Sequence, residues 1–200
     1  MKNRVITISR EFGSGGRTIG KKVAEQLGIP CYDAEIIQAM AQETGFAPDY
    51  VQEAGEYAPG GFLSSAFSNR MFGPTNEDIL WEHQYKVITD LAAKGPCVIV
   101  GRCADYVLRD DPNVALVNLF VHAPMAARIR RESARTNTTP IQAEKRIRQV
   151  DKERASYYNF FSSKRWGDAQ GYDLCVNTGN MDISDVVQLT LRYLELRGLR

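Results

Sequence analysis

The chain carries almost no excess of charge. Its 25 Lys and Arg stand against 24 Asp and Glu, a formal net charge of +1, so the molecule as a whole does not attract nucleic acid or an anionic membrane surface. Long apolar runs are missing too. The first hydrophobic stretch, Val5-Ile6-Thr7-Ile8, follows Met1-Lys2-Asn3-Arg4 and is too short for a membrane span or a secretory signal core. The four cysteines, Cys31, Cys97, Cys103 and Cys175, are scattered without metal-type pairing. Cys31, Cys97 and Cys175 lie in or beside apolar runs, where a buried, reduced thiol is the ordinary expectation. The only histidines, His83 and His122, show no partner pattern and are assigned no catalytic role. There is no internal repeat and no low-complexity tail. These absences lead us to expect a cytoplasmic protein with neither a nucleic-acid nor a membrane partner. Two hundred residues suffice for one good-sized core, or a core with a mobile sub-domain.

What is present alternates in period. Short apolar runs at Val5–Ser9, Pro30–Asp33, Cys97–Val100, Ala115–Val121 and Leu174–Asn177 are separated by longer segments of helical spacing. That alternation predicts an α/β fold with a mostly parallel sheet. Ile19, Val23, Ala24 and Leu27 share one face of a first helix that Gly28 and Pro30 terminate. A last helix begins near Asp182, with Ile183, Val187, Leu191 and Leu194 on its apolar face. Two stretches are not part of the strand pattern. Residues from about Ala34 to Gly73 hold two short helical patterns, then Gly60-Gly61 and a polar, aromatic-dotted segment, before a helix from roughly Asn76 to Lys94. Residues 125–170 are almost wholly helical in pattern and rich in arginine.

The first strand runs into Ser9-Arg10-Glu11-Phe12-Gly13-Ser14-Gly15-Gly16-Arg17-Thr18, and a helix follows at once. Backbone N–H groups converge in such a turn and, with the helix dipole, form an anion site suited to phosphate. Against the P-loop template, Gly16-Arg17-Thr18 takes the GK[ST] positions, while Glu11 stands where the first glycine belongs. Thr18 would offer its hydroxyl to magnesium, and Arg17 would reach the outer phosphates in place of lysine. The rival is a dinucleotide fingerprint: Gly13 and Gly15 match it, Thr18 replaces its last glycine, and Asp33 lies about where a ribose-binding acid would sit. A glycine turn with a purely structural purpose is the third possibility.

The run ITISREFGSGGRTIGKKVAEQLG followed by YDAEII resembles the N-terminus of the cytidylate kinase-like family, relatives of bacterial cytidylate kinases among the P-loop kinases. The resemblance continues through VIVGRCADYVL, LFVHAPMAARIRR, VDKERASYYNFF and YDLCVNTGNMDISDVV, covering nearly the whole length. It implies a three-layer sandwich over residues 1–200, built on a five-stranded parallel sheet, with a helical acceptor-binding region at 34–94 and an arginine-rich helical lid at 125–170. It implies ATP and magnesium (Mg2+) as cofactors, and small-molecule nucleotides as the partners. By position it implies that Gly13, Ser14, Gly15, Gly16, Arg17 and Thr18 form the phosphate loop, with Thr18 on the metal. Asp33, Arg102 and Lys152 would meet the acceptor, and Arg17, Arg128, Arg131 and Arg154 would act on the transferring group. Two positions depart from true cytidylate kinases: Arg17 replaces the loop lysine, and Val100 replaces the Asp before the Gly-Arg pair. Asp33 and Asp105 are the carboxylates that could stand in through water.

Phosphoryl transfer asks for alignment and neutralisation of charge more than for covalent help, and guanidinium groups grip phosphate oxygens in pairs. Each arginine also has a blander use as a solvated helix face. Glu144 with Arg148 and Asp151 with Lys152 could be surface ion pairs. Asp33 could cap the helix that Ala34 begins. Tyr157, Tyr158, Phe160 and Phe161 read as packing more than base stacking. Two further functions stay open on these residues: nucleic-acid binding through the basic 128–165 stretch, and nucleotide-dependent regulation without transfer.

Overall fold

The computed structural model describes residues 2–49, 51 and 76–200. Five strands, Asn3–Arg10 (β1), Cys31–Tyr32 (β2), Cys97–Val100 (β3), Val114–His122 (β4) and Leu174–Asn177 (β5), form one parallel sheet in the order β2-β3-β1-β4-β5. The third and fifth apolar runs become strands over the predicted residues, and the first and fourth extend slightly beyond them. The second shrinks to Cys31–Tyr32. Proline has no N–H to give a ladder, yet the Pro30 carbonyl still accepts from Val98 N at 2.9 Å.

Seven helices are described: Gly16–Leu27 (α1), Ala34–Thr44 (α2), Asn76–Ala93 (α3), Ala104–Val107 (α4), Met125–Thr136 (α5), Pro140–Ser162 (α6) and Ile183–Leu196 (α7). Strand alternation sorts them into layers. Ile6, Ile8, Val98, Val100, Val117 and Leu119 face α1 and α7, where Ile19, Val23, Val187 and Leu191 meet them. Val5, Cys97 and Ile99 face the opposite way, onto Ile36 and Met40 of α2 and Ile88 and Ala92 of α3. The three-layer α/β arrangement follows. Gly20 lets α1 lie close to the sheet: a Cβ there would stand 2.9 Å from Val100 Cγ2 and 3.1 Å from Ile8 Cδ1.

The arginine-rich excursion is the pair α5 and α6. Thr139 and Gln142 form a capping box at the start of α6, with Pro140 in its first turn. Both helices end on left-handed residues that are not glycine, Asn137 and Ser163, each at φ 53, so their boundary lacks the usual sequence signal. In the other excursion, helix returns at residues 48, 49 and 51. The Gly60-Gly61 pair and the polar segment to Gly73 lie outside the described residues.

All four thiols are free. Burial raises Cys31 to about 11 and Cys97 to about 12, so neither is a thiolate at neutral pH. Cys175 corrects the expectation of burial: it is exposed, because β5 is an edge strand of which only Val176 is buried. Among the described residues no helix is long and apolar enough to cross a membrane.

Candidate active site

The carboxyl end of β1 is where the sheet changes direction: the chain builds β2 and β3 to one side of it and β4 and β5 to the other. Open α/β sheets place ligands at such a point. The glycine loop lies there. Glu11 N still bonds Val121 O at 2.9 Å, after which the chain leaves the sheet. Gly13 and Gly15 adopt φ of 77 and 91, a region closed to most side chains. Contact reinforces the need for glycine, since a Cβ on Gly15 would meet Ile183 at 2.9 Å and one on Gly16 would meet Arg10 at 2.6 Å. The first bond of α1 runs from Ile19 N to Gly15 O, 3.0 Å. The N–H groups of Gly16, Arg17 and Thr18 therefore lie outside its ladder and are available to an anion.

Topology decides between the two nucleotide-binding readings of this loop. In a dinucleotide fold the second strand lies beside the first. Here β2 pairs with β3, and β3 separates it from β1. Asp33 thus stands two strands away from the loop's own strand. Its carboxylate forms an ion pair with Arg17, the side chains being 17% and 61% exposed. It does not cap α2; the Asp33 N–H is bonded instead to Glu35 Oε2 at 3.0 Å.

A second set of side chains ties the loop to α5 and α6. Arg128, only 7% exposed in its side chain, lies between Glu11 at 3.4 Å and Asp151. Its Nη1 also donates to Phe12 O at 3.3 Å. Asp151 Oδ1 accepts from Phe12 N at 2.7 Å, and Glu11 Oε2 accepts from Ala123 N at 3.0 Å. Glu11, the departure from the template, is therefore the anchor of the loop's first residues. Arg131 donates to Ser14 O at 3.3 Å, to Thr178 Oγ1 at 2.9 Å and to Thr178 O at 2.6 Å. The Thr178 hydroxyl in turn donates to Ser14 O at 2.7 Å. Arg128 and Arg131 are thus both engaged by protein oxygens.

Arg154 turns toward the loop from α6, with Nη1 3.2 Å from Arg10 O and its guanidinium 5.4 Å from the Phe12 ring centre. It lines a cleft with Ser9, Arg10, Gly101, Arg102, Cys103, Tyr157, Tyr158 and Trp166. Three arginines on aromatic walls give this cleft a positive lining that suits an anion. The turn after β3 is unusual, because Gly101, Arg102 and Cys103 take φ of 78, 57 and 53 in succession. For Arg102 and Cys103 this costs roughly 1–3 kcal/mol apiece. At the back of the cleft Asp105 is buried and accepts from Tyr158 Oη at 2.7 Å. Burial raises its carboxyl above the usual range, and also lifts the Tyr172 phenol to about 12.

The fold therefore brings Gly13–Thr18, Arg102 and Arg154 to one end of the sheet, with Asp33 held by Arg17. Lys152 is exposed on α6, and it is absent from both the cleft lining and the ion pairs among the described residues. Sequence reasoning missed Glu11, Asp151, Thr178 and Arg10, whose partners are remote in the chain. The aromatic residues of α6 do pack: Phe161 stacks on Trp81 of α3 at 4.2 Å, and Tyr157 and Tyr158 are buried, while Phe160 stays exposed. Glu144 and Arg148 form the surface pair at 2.7 Å, and His83 finds Glu43 at 3.3 Å.

A parallel sheet in this order, with a glycine loop at the carboxyl end of its central strand, defines the P-loop kinase class. The solved gluconokinase of Sinorhizobium meliloti shares the fold, at TM-score 0.57 and 16% identity over 96% of this chain and 92% of that one. More particularly, the chain belongs to the cytidylate kinase-like family, whose model matches residues 5–180. It is a phosphotransferase of the nucleoside monophosphate kinase type. The cytidylate kinase of Archaeoglobus fulgidus is 26% identical over 200 residues, 98% of this chain and 97% of the relative. An uncharacterized protein from Eubacterium ventriosum, solved by crystallography, superposes at TM-score 0.71 with 26% identity, over 96% of this chain and 98% of that one.

Proposed function

We propose that the protein transfers the γ-phosphoryl group of ATP to a nucleoside monophosphate, with CMP or dCMP the first acceptor to try, in the cytoplasm. The observation that carries this reading is the glycine loop with the free N–H end of α1, which follows the same strand end whose Ser9 and Arg10 line a cleft with Arg102 and Arg154. The choice of acceptor rests on relatives named cytidylate kinase. Residues 34–94 are proposed as the acceptor side and 125–170 as the lid.

In this mechanism Gly13–Thr18 cradle the donor phosphates with backbone N–H groups. Arg17 exchanges Asp33 for phosphate oxygens, a move that its exposed side chain permits. Arg154 approaches the same oxygens from α6, and Arg102 receives the acceptor phosphate. Arg128 and Arg131 contribute indirectly, by holding the loop in shape. The Thr18 hydroxyl and the Asp33 carboxylate are hard oxygen donors that suit magnesium. No group of three or more His, Cys, Asp or Glu among the described residues could cage it, which fits an ion held mainly by phosphates and water. When bound, magnesium supplies neutralisation of charge on the phosphate oxygens. Asp105 is the weaker choice for that duty, since its carboxyl is buried and bonded to Tyr158. Packing of α5 and α6 over the loop would exclude water, the competing acceptor.

The test is a coupled ADP-release assay with ATP and magnesium against nucleoside monophosphates, other small hydroxyl acceptors and no acceptor. Release that depends on CMP or dCMP is the expected result. Release only with another acceptor keeps the kinase and changes its substrate. ATP binding without release on any acceptor would replace the enzyme by a nucleotide-binding regulator.

A further inference from the structure

Gln84 lies in the middle of α3, fully buried, and no sequence motif singles it out. Its Nε2 donates to the carbonyl of Arg102 at 3.0 Å, and its amide lies against the Tyr157 phenol. The bond is aimed at the second of three successive left-handed residues. The rest of that turn is held by backbone bonds, one of them to β1: Gly101 N bonds Ile8 O at 3.0 Å, Ala104 N bonds Gly101 O at 3.1 Å, and Tyr106 N and Val107 N both bond Cys103 O at 2.9 Å. Among the described residues Gln84 is the partner recorded for the Arg102 carbonyl. The other end of Arg102 lines the cleft, where its buried Nη1 makes no hydrogen bond with the protein. A buried guanidinium nitrogen with no protein partner beside a cleft is poised for an anion, and the backbone beneath it is in a conformation it would otherwise relax from.

We propose that Gln84 is a positioning residue for acceptor recognition: by holding the Arg102 carbonyl it keeps the strained turn in place and the guanidinium directed at the acceptor's phosphate. This rests on the cleft being the acceptor site. It gives α3 a direct part in the chemistry, linking the acceptor side of the fold to the arginine through one amide. Donor binding, which belongs to the loop and α1, does not pass through Gln84.

The experiment is a double-variant cycle read by calorimetry, with CMP titrated into full-length protein saturated with a non-hydrolysable ATP analogue. Gln84→Met keeps the length of the side chain and removes the donor. Gln84→Met and Arg102→Ala should each weaken CMP about tenfold or more. The double variant should bind no more weakly than Arg102→Ala alone, and affinity for the ATP analogue should stay within about twofold throughout. Wild-type CMP affinity in Gln84→Met would overturn the proposal, as would equal loss of both ligands or additive losses in the double variant. If Gln84→Met does not fold, as judged by circular dichroism, Gln84→Asn takes its place, because the shorter amide withdraws from the carbonyl. If the wild-type protein binds no CMP, the reading of the acceptor has failed on its own, and inorganic phosphate replaces CMP in the same cycle. Phosphate affinity that falls in both single variants without additivity upholds the role of Gln84. Phosphate binding indifferent to Gln84, or absent, ends it.

Discussion

At the end of β1, the glycine loop is held from several sides. Glu11, Asp151 and Thr178 reach it from β1's own end, from α6 and from beyond β5, and two arginines knit them together. In the cleft itself, the Gly101–Cys103 turn keeps three left-handed residues with one side-chain amide at its centre. The loop is over-determined and needs its arginines for shape. The turn is strained, and its arginine keeps an unfilled nitrogen beside the cleft. Residues of one chemical type therefore do opposite work. Arg128 and Arg131 are held by carboxylate, hydroxyl and carbonyl oxygens of the protein, although Arg128 Nε makes no hydrogen bond of its own. Arg17, by contrast, is exposed, and Arg102 Nη1 is unfilled.

The sharpest way to test that contrast is Arg17→Ala. Its pair with Asp33 is largely solvent-exposed on the arginine side, so losing it should cost at most about 1 kcal/mol of stability. Turnover should fall roughly a thousand-fold, the scale of one arginine on a transferring phosphate. Steady-state kinetics beside a thermal melt checks both halves, and wild-type turnover with unchanged ATP affinity would remove Arg17 from the mechanism. Arg128→Ala should reverse the pattern. It strands Glu11 and Asp151 around a buried gap and should cost about 3 kcal/mol in denaturant unfolding. An Arg128→Ala protein of wild-type stability would mean that the loop is not held in this way.

The smallest expected effect concerns Asp105. Burial raises its carboxyl in the folded state above the unfolded value. The folded protein thus binds that proton more tightly, and the associated stability is fully present below the unfolded pKa and lost as pH rises through the folded one. Asp105→Asn keeps an acceptor for Tyr158 without the charge. It should raise the melting temperature at pH 7 to 8 by a few degrees, roughly a 1 kcal/mol effect, and leave it unchanged near pH 3. Equal shifts at both pH values would point to packing instead of ionisation.

Much of the fold was legible in the residues, and for a local reason. Val5–Ser9, Cys97–Val100 and Leu174–Asn177 announce strands because their β-branched and apolar residues are contiguous and bounded by turn-formers. Thr139-Pro140 with Gln142 is an equally local signal for the start of α6, but the 125–170 stretch reads as one helical pattern without that break. The glycine loop was legible as an anion site because its requirement for glycine is local too. The Asp151 carboxylate was not. Next to Lys152 on a helix it reads as half of a surface pair, yet it bonds Phe12 N and Arg128. Gln84 was silent for the same reason, since a glutamine in a helix carries no mark of the carbonyl it will meet.

The amino-acid sequence by itself determined where strands and helices form, where the chain must turn, and that phosphate could bind at Gly13–Thr18. Those properties depend on neighbours within a few residues. Only the tertiary structure decided that β3, and not β2, lies beside β1, which removed the dinucleotide reading. It also decided which arginines were spent inside and which stayed open. Both are matters of contact between residues remote in the chain, as between Ser14 and Thr178 or Gln84 and Arg102, and such contacts exist only once the sheet and its helices have closed on one another.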